Sequence, residues 1–268
     1  MFYNAESHKF QTGDTYIDYL TFGKGKKPLV IIPGLNTSKI GGMAVPMALM
    51  YRRFARDYKV YFIDRKADIP EGYTIEQMAW DTAEVMDSLG IKKACITGVS
   101  QGGMIAQRIA VFRPDLVDRL VLAVTASRTN AVTEKVLTDW IEMAEKQEYK
   151  EFTVDMLSKL YTPAYVSRYK LFIPLLTAFQ KPENNKRFIR QSQAILKFDM
   201  YMQLDKIKCP VLVIAGAQDK VTSVQASQEI ADRLNCDIYI YENYGHAVYD
   251  EQARDFNERI YKFLNRKL

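Results

Sequence analysis

The chemistry of this chain starts at Gly98-Val99-Ser100-Gln101-Gly102. A serine hydroxyl is a poor nucleophile until a base takes its proton. The G-x-S-x-G spacing meets the first requirement, exposure of that hydroxyl at a sharp strand-to-helix turn. The apex serine is forced into a strained backbone, and glycine two positions to either side leaves room where strand and helix converge. The first helical amides then lie beside Ser100 Oγ, where an oxyanion can collect hydrogen bonds. The usual base is a histidine, and the chain holds 2. His8 sits in a polar N-terminal segment, ahead of any expected core element. His246 follows the last expected strand in Asn243-Tyr244-Gly245-His246-Ala247, at the carboxyl end where loops of parallel strands gather. An imidazole base needs a carboxylate to hold its tautomer. Asp219 ends Ala215-Gly216-Ala217-Gln218-Asp219, also at a carboxyl end, and is the leading candidate. Its structural alternative is to cap the helix that begins near Thr222. Asp250 is a weaker rival, placed to cap the last helix, and Asp205 falls at the wrong end of its strand.

These residues need a scaffold that brings them together. Leu29–Ile32, Lys59–Asp64, Cys95–Val99 and Cys209–Ala215 are apolar runs expected for buried strands, and Leu120–Val124 and Asp237–Glu242 read as further strands. Tyr16–Phe22 alternates and reads as an early strand. Helical spacing fills the intervals. It runs over Pro46–Tyr58, from the Thr74-Ile75-Glu76-Gln77 capping box to Leu89, from the elbow to near Pro114, over Thr222–Leu234 and over Asp250–Leu264. Such alternation predicts an α/β fold, with a mostly parallel sheet, right-handed crossovers and helices on both faces.

The rhythm breaks over residues 129–204, which read as helical, with prolines at 163, 174 and 182. The expected organisation is a core of residues 1–128 and 205–268 and an inserted helical cap of residues 129–204. The strand before the insertion ends on the serine's side of the sheet, so the insertion should lie over that edge and roof an apolar cavity. Gly34, Trp140, Met143, Tyr161 and Phe172 are the expected lining residues.

The bulk composition narrows the function classes. With 268 residues, 48% hydrophobic and 26% charged, the chain can build a large core. Its formal charge of +5 is spread out. The densest run, Lys24-Gly25-Lys26-Lys27, reads as a solvated turn, so no nucleic-acid partner is expected. No apolar run approaches the roughly 20 residues of a membrane span. The N-terminus lacks a secretory signal, and the 3 cysteines show no metal spacing, which suits reduced thiols and a cytoplasmic protein without a metal. No G-x-G-x-x-G after a strand and no P-loop is present, so no cofactor is expected. Oligomeric state is left open by the sequence.

Taken together, the elbow at 98–102, the Pro210–Asp219 segment and Gly245-His246 resemble the α/β-hydrolase superfamily over nearly all of residues 16–264. The resemblance is to the group with a helical cap between the sixth and seventh strands, which includes carboxylesterases, lactonases, carbon–carbon hydrolases and proline iminopeptidases. The chain order Ser100, Asp219, His246 is the order expected there. The resemblance implies that the backbone amides of Leu35 and Gln101 form the oxyanion hole. Pro33-Gly34 stands where many relatives carry His-Gly, which removes no donor. The His-Gly-Gly-Pro-Gly of proline iminopeptidases is absent. Asp64-Arg65-Lys66-Ala67-Asp68 also departs from the Arg-Gly-x-Gly common in relatives after the fourth strand.

The expected function is a serine hydrolase that cleaves a small to medium, partly apolar ester, thioester or lactone through an acyl-enzyme. The alternatives are a ligand-binding receptor or scaffold of the same fold with vestigial activity, or acyl transfer, perhydrolysis or carbon–carbon cleavage by the same triad.

Overall fold

The structure, a computed structural model, is described over residues 3–169 and 185–266. Eight strands form one sheet in the order β1-β2-β4-β3-β5-β6-β7-β8. These are β1 (Glu6–Thr12), β2 (Thr15–Phe22), β3 (Lys27–Ile32), β4 (Tyr58–Lys66), β5 (Ala94–Val99), β6 (Val117–Ala123), β7 (Val211–Gly216) and β8 (Asp237–Tyr241). β1 and β2 pair antiparallel, as do β2 and β4, and all pairings from β4 to β8 are parallel.

The continuous apolar strands divide their side chains between two buried layers with a period of two. Val30 and Ile32 join one layer with Leu120, Leu122 and Val213, while Leu29 and Ile31 join the other with Val121, Ala123, Leu212 and Ile214. The first layer is covered by α2 (Ile75–Ser88), α3 (Gln101–Phe112) and α8 (Val224–Leu234). The second is covered by α1 (Ala44–Met50) and α10 (Ala253–Leu264), through Ala48, Phe256, Ile260 and Phe263. α2 starts where the capping box predicts. The Thr74 hydroxyl accepts from Gln77 N, and the Gln77 side chain accepts from Thr74 N.

Three elements differ from the sequence reading. β1 is a strand, whereas its residues read as a polar segment ahead of any core element. It is an edge strand with four of its seven positions exposed and none buried, so its pattern carries little hydrophobic signal. The two-residue turn Gly13-Asp14, with Gly13 at φ 56°, joins it to β2. α1 ends at Met50, not at Tyr58. Tyr51, Phe54, Ala55 and Tyr58 are buried by successive turns, so their helical spacing marks burial without a helix. The last helical stretch divides into α9 (Val248–Glu251) and α10.

Between β6 and β7 the chain forms α4 (Ala131–Glu145), α5 (Tyr149–Leu160), α6 (Pro163–Tyr169) and α7 (Asn185–Leu196), then a 3₁₀ turn over Tyr201–Lys206. The two ends of this excursion are tied to each other. Thr129 N donates to Phe198 O at 2.9 Å, and Met200 N donates to Ser127 O at 2.9 Å. Among the described residues, no helix is long and apolar enough to cross a membrane.

Candidate active site

β5 and α3 meet at Ser100, which has φ 52° and ψ −120°. This is a strained region for a residue with a side chain, and it persists because both backbone groups are held. Ser100 N donates to Ala123 O at 2.9 Å. Its carbonyl accepts from Gly103 N at 2.8 Å and from the Thr125 hydroxyl at 2.7 Å. The flanking glycines are required by close approach. A Cβ on Gly98 would lie 2.4 Å from Gly102 O, and one on Gly102 would lie 2.0 Å from Ile32 O. Gly98 thus lets strand and helix converge, as expected. Gly102 instead makes room for the end of β3, a contact that no local spacing reveals.

The loop after β7 carries Asp219, 8% exposed, and the loop after β8 carries His246, 3% exposed. His246 Nδ1 lies 2.9 Å from Asp219 Oδ2. An ionised carboxylate only accepts, so this contact assigns a proton to Nδ1, which in the neutral ring leaves Nε2 as the acceptor. Asp219 also performs the capping role considered above. Its Oδ1 accepts from Val221 N at 2.8 Å and Thr222 N at 3.0 Å, and its Oδ2 accepts from the Thr222 hydroxyl at 2.7 Å. Burial pushes the Asp219 carboxyl up, but His246, the Val221 N–H and the Thr222 hydroxyl outweigh it and hold the carboxyl below the ordinary range.

Asp250 has other partners. It accepts from the hydroxyls of Tyr161 at 2.9 Å and Tyr165 at 3.2 Å. The neighbouring Ala247 N donates to Leu160 O at 2.8 Å. The rival acid therefore fastens the helical excursion to the segment after His246. His8 lies in β1, where its ring stacks on Tyr19 and its Nε2 is 3.0 Å from the Thr21 hydroxyl.

Ser100 and His246 line one cavity of about 470 Å³. Gly34 and Leu35 from the loop after β3 line it beside Ser100, and a Cβ on Gly34 would sit 3.3 Å from Ser100 Cβ. Gln101 N–H is the first amide of α3, one of the donors that a helix start leaves without an intrahelical partner. Trp140 of α4 lines the cavity as expected, with Leu137, Met156, Leu160, Phe188 and Ile195 from the excursion. Two expected lining residues do not. Met143 packs half-buried against the core, and Tyr161 is turned towards Asp250. Helical phase explains Met143: Leu137 and Trp140 line the cavity, and each three-residue step turns about 60° around the axis, so Met143 lies about 120° from Leu137, on the flank of the lining face. Phe172 lies outside the described residues.

The opposite wall escaped the sequence reading. Met43, Met47 and Met50, on and just before α1, line the cavity with Tyr51 and Phe62. Their spacing of four and three residues was the available signal, because it places all three on one helical face. Among the described residues, no group of three His, Cys, Asp or Glu side chains could hold a metal ion.

Comparison with known proteins gives this geometry a family. The chain is 29% identical over 242 residues to the "Putative carbamate hydrolase RutD" of Stutzerimonas stutzeri, covering 85% of this chain and 89% of that one. It is 24% identical over 258 residues to 3-oxoadipate enol-lactonase 2 of Acinetobacter baylyi, covering 94% of each. The enol-lactonase structure from Burkholderia xenovorans LB400 superposes with a TM-score of 0.83 at 23% identity, over 97% of this chain and 100% of that one. The model of the alpha/beta hydrolase fold matches residues 27–253, a span that holds the elbow, Asp219 and His246, and the chain belongs to the α/β-hydrolase fold family of enzymes.

Proposed function

We propose that the protein is a serine hydrolase of small to medium, partly apolar carboxylic esters or lactones, with Ser100, His246 and Asp219 as its triad. The observation that carries this reading is the strained Ser100 sharing an apolar-walled cavity with a histidine whose Nδ1 is committed to a buried carboxylate. Ser100 Oγ attacks the substrate carbonyl carbon as its proton passes to His246 Nε2. The carbonyl π electrons move onto oxygen, where the N–H groups of Leu35 and Gln101 receive the charge. Collapse of this intermediate breaks the bond to the leaving oxygen, which takes the proton from His246. Water, deprotonated by the same nitrogen, then adds to the acyl carbon, and collapse breaks the bond to Ser100 Oγ, which takes the proton back from His246. Asp219 keeps Nδ1 protonated and stabilises the imidazolium while it exists.

Residues 129–204 act in this reading as a cap whose α4, α5 and α7 close the acyl site over the methionines of α1. Methionine and aromatic walls suit an adaptable apolar group. A cavity of about 470 Å³ is within the range of small-molecule sites and limits chain length. Carbamates are the second bond class, favoured by the similarity to a protein named as a carbamate hydrolase.

The test combines fluorophosphonate labelling with a substrate panel. Mass spectrometry should place the adduct on Ser100, and Ser100→Ala should lower kcat on an activated ester by roughly 10⁴-fold or more. Across linear esters, kcat/KM should peak at short to medium acyl chains, each accommodated methylene adding about 0.8 kcal/mol before the cavity overfills. Labelling elsewhere, or a tenth of the wild-type kcat surviving in Ser100→Ala, removes the mechanism. A monotonic rise through long acyl chains removes the closed acyl site.

A further inference from the structure

The departure from relatives at Asp64-Arg65-Lys66-Ala67-Asp68, which the structure places across the end of β4, has no role in the mechanism above. Yet Arg65 is 2% exposed and reaches the candidate oxyanion loop. Its two terminal nitrogens donate to consecutive carbonyls of that loop, Pro33 O at 2.7 Å and Gly34 O at 2.5 Å. Its Nε donates to Gln191 Oε1 of α7 at 3.0 Å. Asp64 balances the charge. It accepts from Arg65 N at 2.8 Å and from Asn36 Nδ2 at 3.1 Å, and it forms an ion pair with Arg187 of α7 at 3.1 Å. Arg187 also donates to the Asn36 side chain. Burial pulls the Arg65 guanidinium down to about 10, with Asp64 opposing, so it remains charged at neutral pH.

Gly34 C=O and Leu35 N–H belong to one planar peptide and point in opposite directions. A guanidinium fixed on that carbonyl therefore fixes where the Leu35 N–H points, and it polarises the peptide so that the N–H donates more strongly. Gln191 is fully buried and joins this clamp to the second donor segment. Its Nε2 donates to Asn36 O at 3.1 Å, and its own carbonyl accepts from Gln101 Nε2 at 3.1 Å. One residue of the helical excursion thus touches Arg65, the loop that bears Leu35, and Gln101.

We propose that Arg65 and Gln191 are positioning residues of the oxyanion hole: Arg65 aims the Leu35 N–H through the Gly34 carbonyl, and Gln191 ties that loop to Gln101. α7 is then part of the device that stabilises the tetrahedral intermediate as well as a wall of the cavity. The proposal rests on the serine-hydrolase reading, and Ser100→Ala separates the two. Activity that survives Ser100→Ala overturns that reading. A dead Ser100→Ala beside unaltered positioning variants overturns only this proposal.

The experiment measures Arg65→Lys and Gln191→Met on an activated ester, with kcat expressed per active site titrated to completion with a fluorophosphonate. Inhibition by a trifluoromethyl ketone, which adds to the serine as a tetrahedral oxyanion, is measured in parallel. Removing one oxyanion donor outright costs about 10²–10³ in kcat, so misaiming it should lower kcat by about 10- to 100-fold in Arg65→Lys and about 3- to 10-fold in Gln191→Met. KM should stay within about 3-fold, while the inhibition constant of the ketone rises by the same factor as kcat falls. A residue that only holds the fold would lower the number of titratable sites and leave kcat per site and the ketone constant alone. Should Arg65→Lys not fold, Gln191→Met decides. An unchanged kcat per site with an unchanged ketone constant, or a rise in KM alone, overturns the proposal.

Discussion

Asp64 and Asp219 are two buried carboxylates on the same side of one sheet, and they differ in what surrounds them. Asp64 lies near the end of β4, 1% exposed, and Asp219 lies in the loop after β7, 8% exposed. Burial pushes both carboxyls up, and in both the partners win and hold the group below its ordinary range. The partners of Asp64 are Arg187 and Arg65, cations that keep their protons at any working pH. The ring partner of Asp219 is His246, an imidazole that also lines the cavity. A carboxylate between two arginines can only hold geometry. A carboxylate on a histidine holds geometry and also stabilises a charge that comes and goes. Whether a buried acid serves as scaffold or takes part in the reaction is therefore set by whether its partner can change protonation state.

The largest expected effect that tests this contrast is on Asp219→Asn. Its amide oxygen can still accept from Val221 N and Thr222 N, so the fold should survive. The amide favours the wrong imidazole tautomer, and kcat should fall by about 10²–10⁴, as steady-state kinetics on a folded, monodisperse variant would read. Asp64→Asn should do the reverse. It leaves two buried arginines without their counter-charge, a loss of about 3–5 kcal/mol that calorimetry would read as a Tm lower by on the order of 10 °C. An Asp64→Asn at unchanged Tm whose kcat falls by about 10²–10⁴, beside an Asp219→Asn that keeps its kcat, would mean that the two acids have been assigned the wrong way round.

Asp250→Asn sharpens the contrast with a third acid. Its bonds to Tyr161 and Tyr165 fasten the helical excursion and do not touch His246. Stopped-assay kinetics should find kcat within about 3-fold of wild type, and urea titration a loss of about 1 kcal/mol. A crippled Asp250→Asn beside a mild Asp219→Asn would transfer the orienting role to Asp250.

The smallest effect is one of pH. Asp64 and Asp219 have folded pKa values below their ordinary value of 3.8, so the unfolded chain binds protons first as the pH falls. Their contribution to stability is complete above that value and is lost as the pH drops through it towards the folded values. Urea midpoints followed from about pH 6 to about pH 3 should fall, and the slope should flatten in Asp64→Asn. Midpoints independent of pH across that window would show that neither carboxyl is held down.

The candidate nucleophile, base and acid were legible in the sequence because each sits in a local pattern whose mechanics are short-range. Gly98-Val99-Ser100-Gln101-Gly102 describes a turn, Asp219 follows an apolar run that is fully buried as β7, and His246 follows the last strand, β8. A parallel sheet gathers the ends of such runs on one side whatever the loops contain. The period of two that splits Leu29 and Ile31 from Val30 and Ile32 is likewise a property of any strand. Other features were decided only by tertiary structure. Gly102 is small because β3 ends against it, and Met143 packs against the core outside the cavity that Trp140 lines. Asp64, Arg65, Arg187 and Gln191 are separated by up to about 127 residues and share no spacing rule. Their meeting depends on folding α7 back onto the loop after β3. A charged side chain in a sequence reads as solvated surface until its partners are known, since only a paired charge can afford to leave water.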